Sequence, residues 1–383
     1  MPSAIVAAPV ANKVLNGGIV WVAVSYMRGL ANLGYDVHLV EQIATEACVD
    51  ATGSPTDFRS SVNLEFFRRA VQAAGISTHA TLLCDGARES EGLSPPEVAE
   101  VAARADLLLN ISGHLELESL STVAGRRLYL DLDPGFTQIW HEDGTLAIPP
   151  HDVYFTIGEN IGRANCPIPT NGLEWRPTRP PVVLDDWSVV PGGDHERFTT
   201  VAAWRGPYGR LEGAGRVYGL KLDEFRKVIE LPERAPQTFE LALDIHPAEK
   251  SDLEALQTHG WRLVDPRSVA GDPDLFRSYV QGSAAEFSVA QGIYVETNSG
   301  WFSDRTTRYL ASGKPALVQD TGFSETIPTD EGLLAFGTLE EAVAGAEAIA
   351  ADYDRHARAA REIAVQYFDS DTVIAKLLED AFA

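Results

Sequence analysis

The strongest constraint on the fold is a rhythm at the amino end: short apolar runs, glycine-bearing turns and helical patterns in alternation. Residues 4–8 (AIVAA) read as a buried strand and Asn16-Gly17-Gly18 as a turn. Residues 19–33 read as a mostly buried helix closed by Gly34 in the C′ position, and residues 37–40 as the next strand. Residues 107–111 and 128–132 repeat the strand pattern, each followed by a polar or glycine-containing loop. Strand, glycine turn, helix, strand is the order a doubly wound parallel sheet requires.

A second set of strands is expected at residues 199–203, 239–243, 261–264, 292–295 and 316–319. Between Cys166 and Gly193 the chain is dense in proline, which stiffens a segment and excludes regular helix. Trp175 and Trp187 within it predict that it packs on a surface. The end is helical: Thr338 to Glu341 forms a capping-box pattern, followed by residues 342–351, 355–367 and a final amphipathic helix to residue 381. The expected fold class is α/β, with two doubly wound, Rossmann-like domains facing across a cleft. Residues 1–170 form the first domain, 171–197 the connection and 198–350 the second domain. Residues 351–383 are C-terminal helices, the last packing back toward the first domain.

The 383 residues, 45% hydrophobic and 22% charged, suit a globular protein with two substantial cores. No apolar run approaches the ~20 residues of a membrane-spanning helix, and no secretory leader is expected. Cys48, Cys84 and Cys166 are too few and too scattered for a disulfide framework, which fits a cytoplasmic location. The nine histidines lack metal-site spacings, so no built-in metal is expected; a tightly bound cofactor is not expected either. The formal net charge of −24 predicts that neither nucleic acid nor an anionic membrane is a partner. An anionic substrate must then be held by a few well-placed cations.

One stretch, residues 298–322 (NSGWFSDRTTRYLASGKPALVQDTG), puts hydroxyls and an arginine at the mouth of a helix between two strands. Ser303 or Asp304 would cap that helix. The free N–H groups of its first turn, with Arg305, Thr306 and Thr307, would make an anion site suited to phosphate oxygens. The plain alternative is an ordinary capped helix with solvated polar residues. In the first domain, His114 follows a strand's carboxyl end, where it could be a general base or a structural residue. Asp131 and Asp133, two apart at the end of another strand, point the same way if the strand persists. One would then be a base of raised pKa or an acceptor clamp, while Asp133 before Pro134 also suits a turn. Gln138 and Trp140 follow, and sugars favour amide and aromatic partners. The loop at residues 155–162 (FTIGENIG) receives no role.

From about residue 292 onward the chain resembles the nucleotide-sugar-binding domain of GT-B glycosyltransferases, nearest to the large family-4 group. Phe302-Ser303 stands where that group has Phe-Gly, and Arg308 to Pro315 (RYLASGKP) matches its E-A-M-A-x-G-x-P run. Residues 320–325 (DTGFSE), 332–334 (GLL) and 367–371 (YFDSD) match later motifs in order. The family's paired glutamates, which in relatives contact donor sugar and ribose, fall here on Gly300 and Arg308.

The resemblance implies a glycosyltransferase that takes a sugar from a nucleoside-diphosphate sugar and gives it to a small-molecule or glycan acceptor. It implies that Arg205 and Lys221 neutralise the diphosphate, at a longer spacing than usual, or are otherwise surface ion-pair partners. Ser303, Arg305 and Thr306 would join them, with Glu325 on donor hydroxyls. Gly17 and Gly18 resemble the family's glycine loop and equally suit a turn needing positive φ. His114 or Asp133 would assist the acceptor. The rival functions are a sugar-nucleotide epimerase of the same fold and a non-catalytic nucleotide or sugar sensor. A dinucleotide oxidoreductase is disfavoured because the first strand leads to Asn-Gly-Gly and not to G-x-G-x-x-G. Base, sugar, acceptor, stereochemistry and oligomeric state are open.

Overall fold

The structure, a computed structural model, describes residues 1–383 apart from 117–122, 124, 191–195, 207 and 214. Strands β1 (Ser3–Ala7), β2 (Asp36–Ile43), β3 (Ala80–Cys84), β4 (Glu89–Glu91), β5 (Leu107–Ile111), β6 (Arg126–Asp131), β7 (Val153–Thr156) and β8 (Trp175–Pro177) form one sheet. Its order is β4-β3-β2-β1-β5-β6-β7-β8. Every pairing is parallel except β3 with β4.

Next come β9 (Arg197–Ala203), a hairpin of β10 (Leu211–Gly213) and β11 (Arg216–Tyr218), β12 (Thr238–Asp244), β13 (Arg262–Val264), β14 (Ala285–Ser288), β15 (Ala316–Gln319) and β16 (Leu333–Phe336). Apart from the hairpin, these build a second, wholly parallel sheet in the order β13-β12-β9-β14-β15-β16. The two doubly wound sheets bear out the α/β expectation.

Topology decides where the chemistry can lie. Ala4 of β1 is flanked by Val37 on one side and Leu107 on the other, so the connections after β1 and β5 diverge at the carboxyl ends. In the second sheet Phe198 of β9 sits between Phe239 and Ala285, which creates the same divergence. Such switch points open crevices that loops line. β1 and β5 are buried along nearly their whole length, which is why they read as continuous apolar runs.

One expected strand is corrected. Residues 292–295 lie in a helix, Gly292–Glu296, and the sheet position belongs to β14 (AEFS). Glu286 in the middle of β14 hid the strand, because its buried carboxylate is matched only by a residue distant in sequence.

The first long helix, α1 (Gly17–Asn32), starts at Asn16, whose side chain accepts the Ile19 N–H. Gly17 and Gly18 therefore open the helix and neither has a positive φ, which corrects the turn reading. Gly17 is required for another reason: a Cβ there would overlap the carbonyl of Asp272 in the second domain. Trp21 Nε1 donates to Pro273 O at 2.9 Å along the same contact. Gly17→Ala is expected to lower stability by ~1–3 kcal/mol through overpacking, measurable by urea unfolding.

The proline-rich connection packs as its tryptophans suggested. Trp187 is fully buried edge-on to Trp21 at 5.1 Å, and Trp175 is also buried. Val182 exchanges backbone hydrogen bonds with Phe368 (2.8 Å) and Ser370 (3.0 Å), so the outgoing and returning chains cross side by side. The final helix, Ser370–Phe382, lies on α1 and on the start of β6, where Arg126 Nε donates to Ala381 O at 3.0 Å. No helix of the described residues is long and apolar enough to cross a membrane.

Candidate functional site

Two compartments open at the carboxyl ends of the sheets and meet at α1. The inner one holds about 430 Å³ and is walled on one side by the loops after β1, β5 and β6. The outer one holds about 500 Å³ and is walled by the ends of β9 and β12. Asn16, Ile19, Val22 and Asp304 line both. The inner compartment is thus continuous with the outer across α1 and the start of the helix Asp304–Ala311.

Asp133 and His114 both face the inner compartment. β6 ends at Asp131, so the two aspartates do not point the same way. Asp131 is fully buried, and its oxygens accept from Thr137 (2.6 Å), Gln138 (2.8 Å), Thr156 (2.8 Å) and the Asp133 N–H (3.0 Å). Gln138 is likewise spent inside the fold, holding Gly135 N–H at 2.6 Å, which removes it as a sugar partner. Asp133 keeps contact with the cavity and accepts from Tyr294 Oη at 3.1 Å. Burial, then the neighbouring Asp131, pushes its carboxyl up to about 6. Burial, then Lys13, lowers His114 to about 4, so its ring is neutral at pH 7.

The same compartment has aromatic walls. Trp140 meets Tyr208 edge-on at 4.7 Å, and Trp301 stacks on Tyr294 at 4.5 Å. Tyr208 and Trp301 belong to the second domain, so this cavity is built from both halves of the chain.

The outer compartment takes in Gly18, Asp244, Arg267 and Arg305. Arg305 is mostly engaged within the protein: Nε donates to Glu286 at 2.6 Å, one terminal nitrogen to Val201 O at 2.9 Å and the other to Ser288 Oγ at 2.7 Å. Its charge is paired with the buried Glu286, so it offers the cavity the edge of a held guanidinium and not a free fork. Lys221 opens a helix, Lys221–Lys227. Burial, then Arg305 close by, lowers its amine to about 7, so two of the three cations expected on a diphosphate are neighbours, although Lys221 itself lines neither compartment. Arg205 turns outward to Glu249 at 2.5 Å and lines neither compartment, which leaves it in the surface ion-pair reading.

Ser303 caps its helix by accepting Arg305 N–H at 3.3 Å. With the buried Thr306 it borders a void of only about 10 Å³, too small for a substrate. Glu325 lines neither compartment. It accepts from Asn165 (2.9 Å) and Asn298 (3.0 Å), a tie between the domains. The loop at residues 155–162 forms a second tie: fully buried Asn160 donates to Asn298 O (2.9 Å) and Gly322 O (3.3 Å). No signal in the sequence marked that role. Among the described residues no three His, Cys, Asp or Glu side chains converge as a metal site.

No protein-family model matches the sequence, and a search of curated proteins finds no match. Solved structures do match over the whole chain. An alpha-glucosyltransferase in complex with UDP-glucose and DNA containing an abasic site aligns at TM-score 0.63, 12% identity and 100% coverage of both chains. AviGT4, a glycosyltransferase involved in avilamycin A biosynthesis, aligns at 0.58 and 14%, over 99% of this chain and 97% of its own. Anabaena HepE in complex with UDP-glucose aligns at 0.57 and 13%, over 98% of each. The chain has the GT-B fold.

Two expectations change against this GT-B frame. The exclusion of nucleic acid is corrected, because structures of this fold at TM-scores of 0.63 and 0.62 were solved with DNA. Net charge sums the whole surface, whereas binding depends on the local field, so −24 decides nothing about one face of the molecule. The missing glutamates also find a physical reason. Gly300 has φ 74°, and a Cβ there would press on the Asn160 backbone nitrogen at 2.9 Å, so the Asn160 tie excludes a glutamate. Arg308, at the second position, is fully buried and lines the inner compartment.

Proposed function

We propose that the protein is a glycosyltransferase that moves a sugar from a nucleoside-diphosphate sugar, held in the outer compartment, to an acceptor hydroxyl in the inner one. The observation that carries this reading is the pair of joined compartments, with Arg267 and Arg305 on the wall of one and Asp133 on the wall of the other. The similar structures solved with UDP-glucose support a uridine nucleotide as the first donor to test. A second cavity next to the donor space favours transfer over epimerisation, which needs no separate acceptor.

In this reading Arg305 and Lys221 stabilise the charge that grows on the diphosphate as its bond to the anomeric carbon breaks. Asp133 takes the proton from the acceptor hydroxyl as the new C–O bond forms, and the diphosphate leaves with the electron pair. His114, neutral at pH 7, orients the hydroxyl by hydrogen bonding. Trp140 and Trp301 hold a ring against the aromatic walls. Only the ionised Asp133 can accept a proton. The value of kcat/KM is therefore expected to rise as pH passes through about 6 and to fall again above about 7, where Lys221 loses its proton. A profile flat from pH 5 to 8 would remove Asp133 as the base.

The reading is tested by incubating the protein with UDP-, dTDP-, GDP- and ADP-glucose and a panel of phenols, glycosides and hydroxymethylated DNA, and measuring diphosphate release. Acceptor-dependent release from one donor is the expected result. Conversion of the donor sugar to an isomer without any acceptor would favour the epimerase.

A further inference from the structure

Arg308 carries a feature that sugar transfer does not explain. Its guanidinium is fully buried, and one terminal nitrogen donates to Asp304 (backbone O and carboxylate). Its Nε and other terminal nitrogen have no partner among the described residues. These two N–H groups form one edge of the planar fork, the edge that elsewhere in this protein grips carboxylates side-on. Arg68 holds Glu91 this way at 2.8 and 2.7 Å, and Arg179 holds Glu159 at 2.6 and 3.2 Å. Leaving two such donors unmatched in a buried site is costly, and more so for a charged group.

A second unmatched donor stands in the same place. Tyr26 is buried, its hydroxyl has no partner among the described residues, and it lines the inner compartment with Arg308. The two residues come from different domains, Tyr26 from α1 and Arg308 from the helix Asp304–Ala311. Trp187 lies under the guanidinium at 5.9 Å and limits its movement. Lys13, also on the cavity wall, adds positive charge.

We propose that the inner compartment contains a carboxylate subsite, with the free edge of Arg308 gripping both oxygens and Tyr26 Oη donating to one of them. The inference rests on the compartment being a substrate site and names its substrate class: a ligand with an acidic group. Asp304 occupies the opposite edge of the fork, so it holds the guanidinium in place without competing for the same N–H groups. Two sources share this chemistry, a sugar acid on the donor and an acid on the acceptor.

Calorimetric titration separates them with matched pairs that differ only in charge. The donor arm compares UDP-glucuronate with UDP-glucose. The acceptor arm compares 4-hydroxybenzoate with its methyl ester, both in the presence of UDP. The acid is expected to bind at least tenfold tighter than its neutral partner in one arm, and the arm identifies the source. Tyr26→Phe, which removes only the hydroxyl, is expected to weaken the acid about tenfold, ~1.4 kcal/mol, by deleting a hydrogen bond to a charged group. Arg308→Gln is expected to abolish the preference, with a thermal melt checking its fold. If Arg308→Gln does not fold, Tyr26→Phe decides alone.

Equal binding of acid and ester, and of both donors, would overturn the subsite while UDP binding upheld the transferase reading. A preference that survives the tested variants would also overturn it. Absence of all binding would remove both.

Discussion

Asp133→Asn is expected to lower kcat by ~10²–10⁴-fold, the usual contribution of a positioned general base. The effect should fall on kcat, because asparagine keeps the shape and can still accept from Tyr294 Oη, now 3.1 Å from the carboxylate. Asp131 cannot stand in, since its oxygens are committed to Thr137, Gln138, Thr156 and the Asp133 N–H. Stability should respond with the opposite sign. A folded-state pKa raised from 3.8 to about 6 means that the native state holds this proton more tightly than the unfolded chain. The aspartate therefore costs stability progressively as pH rises from about 4 to about 6, and the asparagine variant escapes that cost. Initial rates and thermal unfolding at pH 5 and 8 check both parts. A kcat within threefold of the wild type would mean that Asp133 is not the base.

Arg305→Met is expected to destabilise the protein by ~3–5 kcal/mol, the cost of leaving a buried charge without its partner. The stranded group is Glu286, fully buried in β14 and paired to Arg305 at 2.6 Å. Adding Glu286→Met should recover most of the loss, because two apolar side chains strand no charge. Urea unfolding of the two variants measures the difference. If the double variant is no more stable than Arg305→Met, the ion pair is not what the single substitution breaks. Diphosphate affinity should stay low in both, because the Arg305 guanidinium on the wall of the outer compartment is gone.

These expectations also show how much could be read from the sequence. Apolar periodicity gave four of the eight strands of the first sheet, β1, β2, β5 and β6, and it gave α1 with its Gly34 stop. Local chemistry gave the Thr338–Glu341 capping box, which forms with Thr338 Oγ1 accepting the Glu341 N–H at 3.2 Å. What failed was structure decided by partners far along the chain. Glu286 looks like a strand breaker until Arg305 is placed beside it. Asn160 looks like loop filler until Asn298 and Gly322 close over it. Arg308 looked like a lost glutamate, and its position beneath the inner cavity depends on two domains meeting.

The candidate site was legible in part for the same reason. Residues at strand ends, His114 and Asp133, fall where topology puts any ligand, and both line the inner cavity. Motif positions transferred less well. Glu325, Ser303 and Thr306 are bound into the fold away from both cavities, and Arg205 points to Glu249. A motif fixes the backbone path, but side-chain partners decide which groups stay free for a ligand.

The central claim is that the cleft between the domains is a nucleotide-sugar site. Calorimetric titration of UDP, dTDP, GDP and ADP into the wild-type protein tests it most directly. One diphosphate should bind clearly tighter than the others and compete with its own sugar conjugate. Lys221→Ala should weaken it at least tenfold, equivalent to ~1.4 kcal/mol. No binding of any of the four to protein that unfolds cooperatively would contradict the claim, and the GT-B fold would then serve a different ligand.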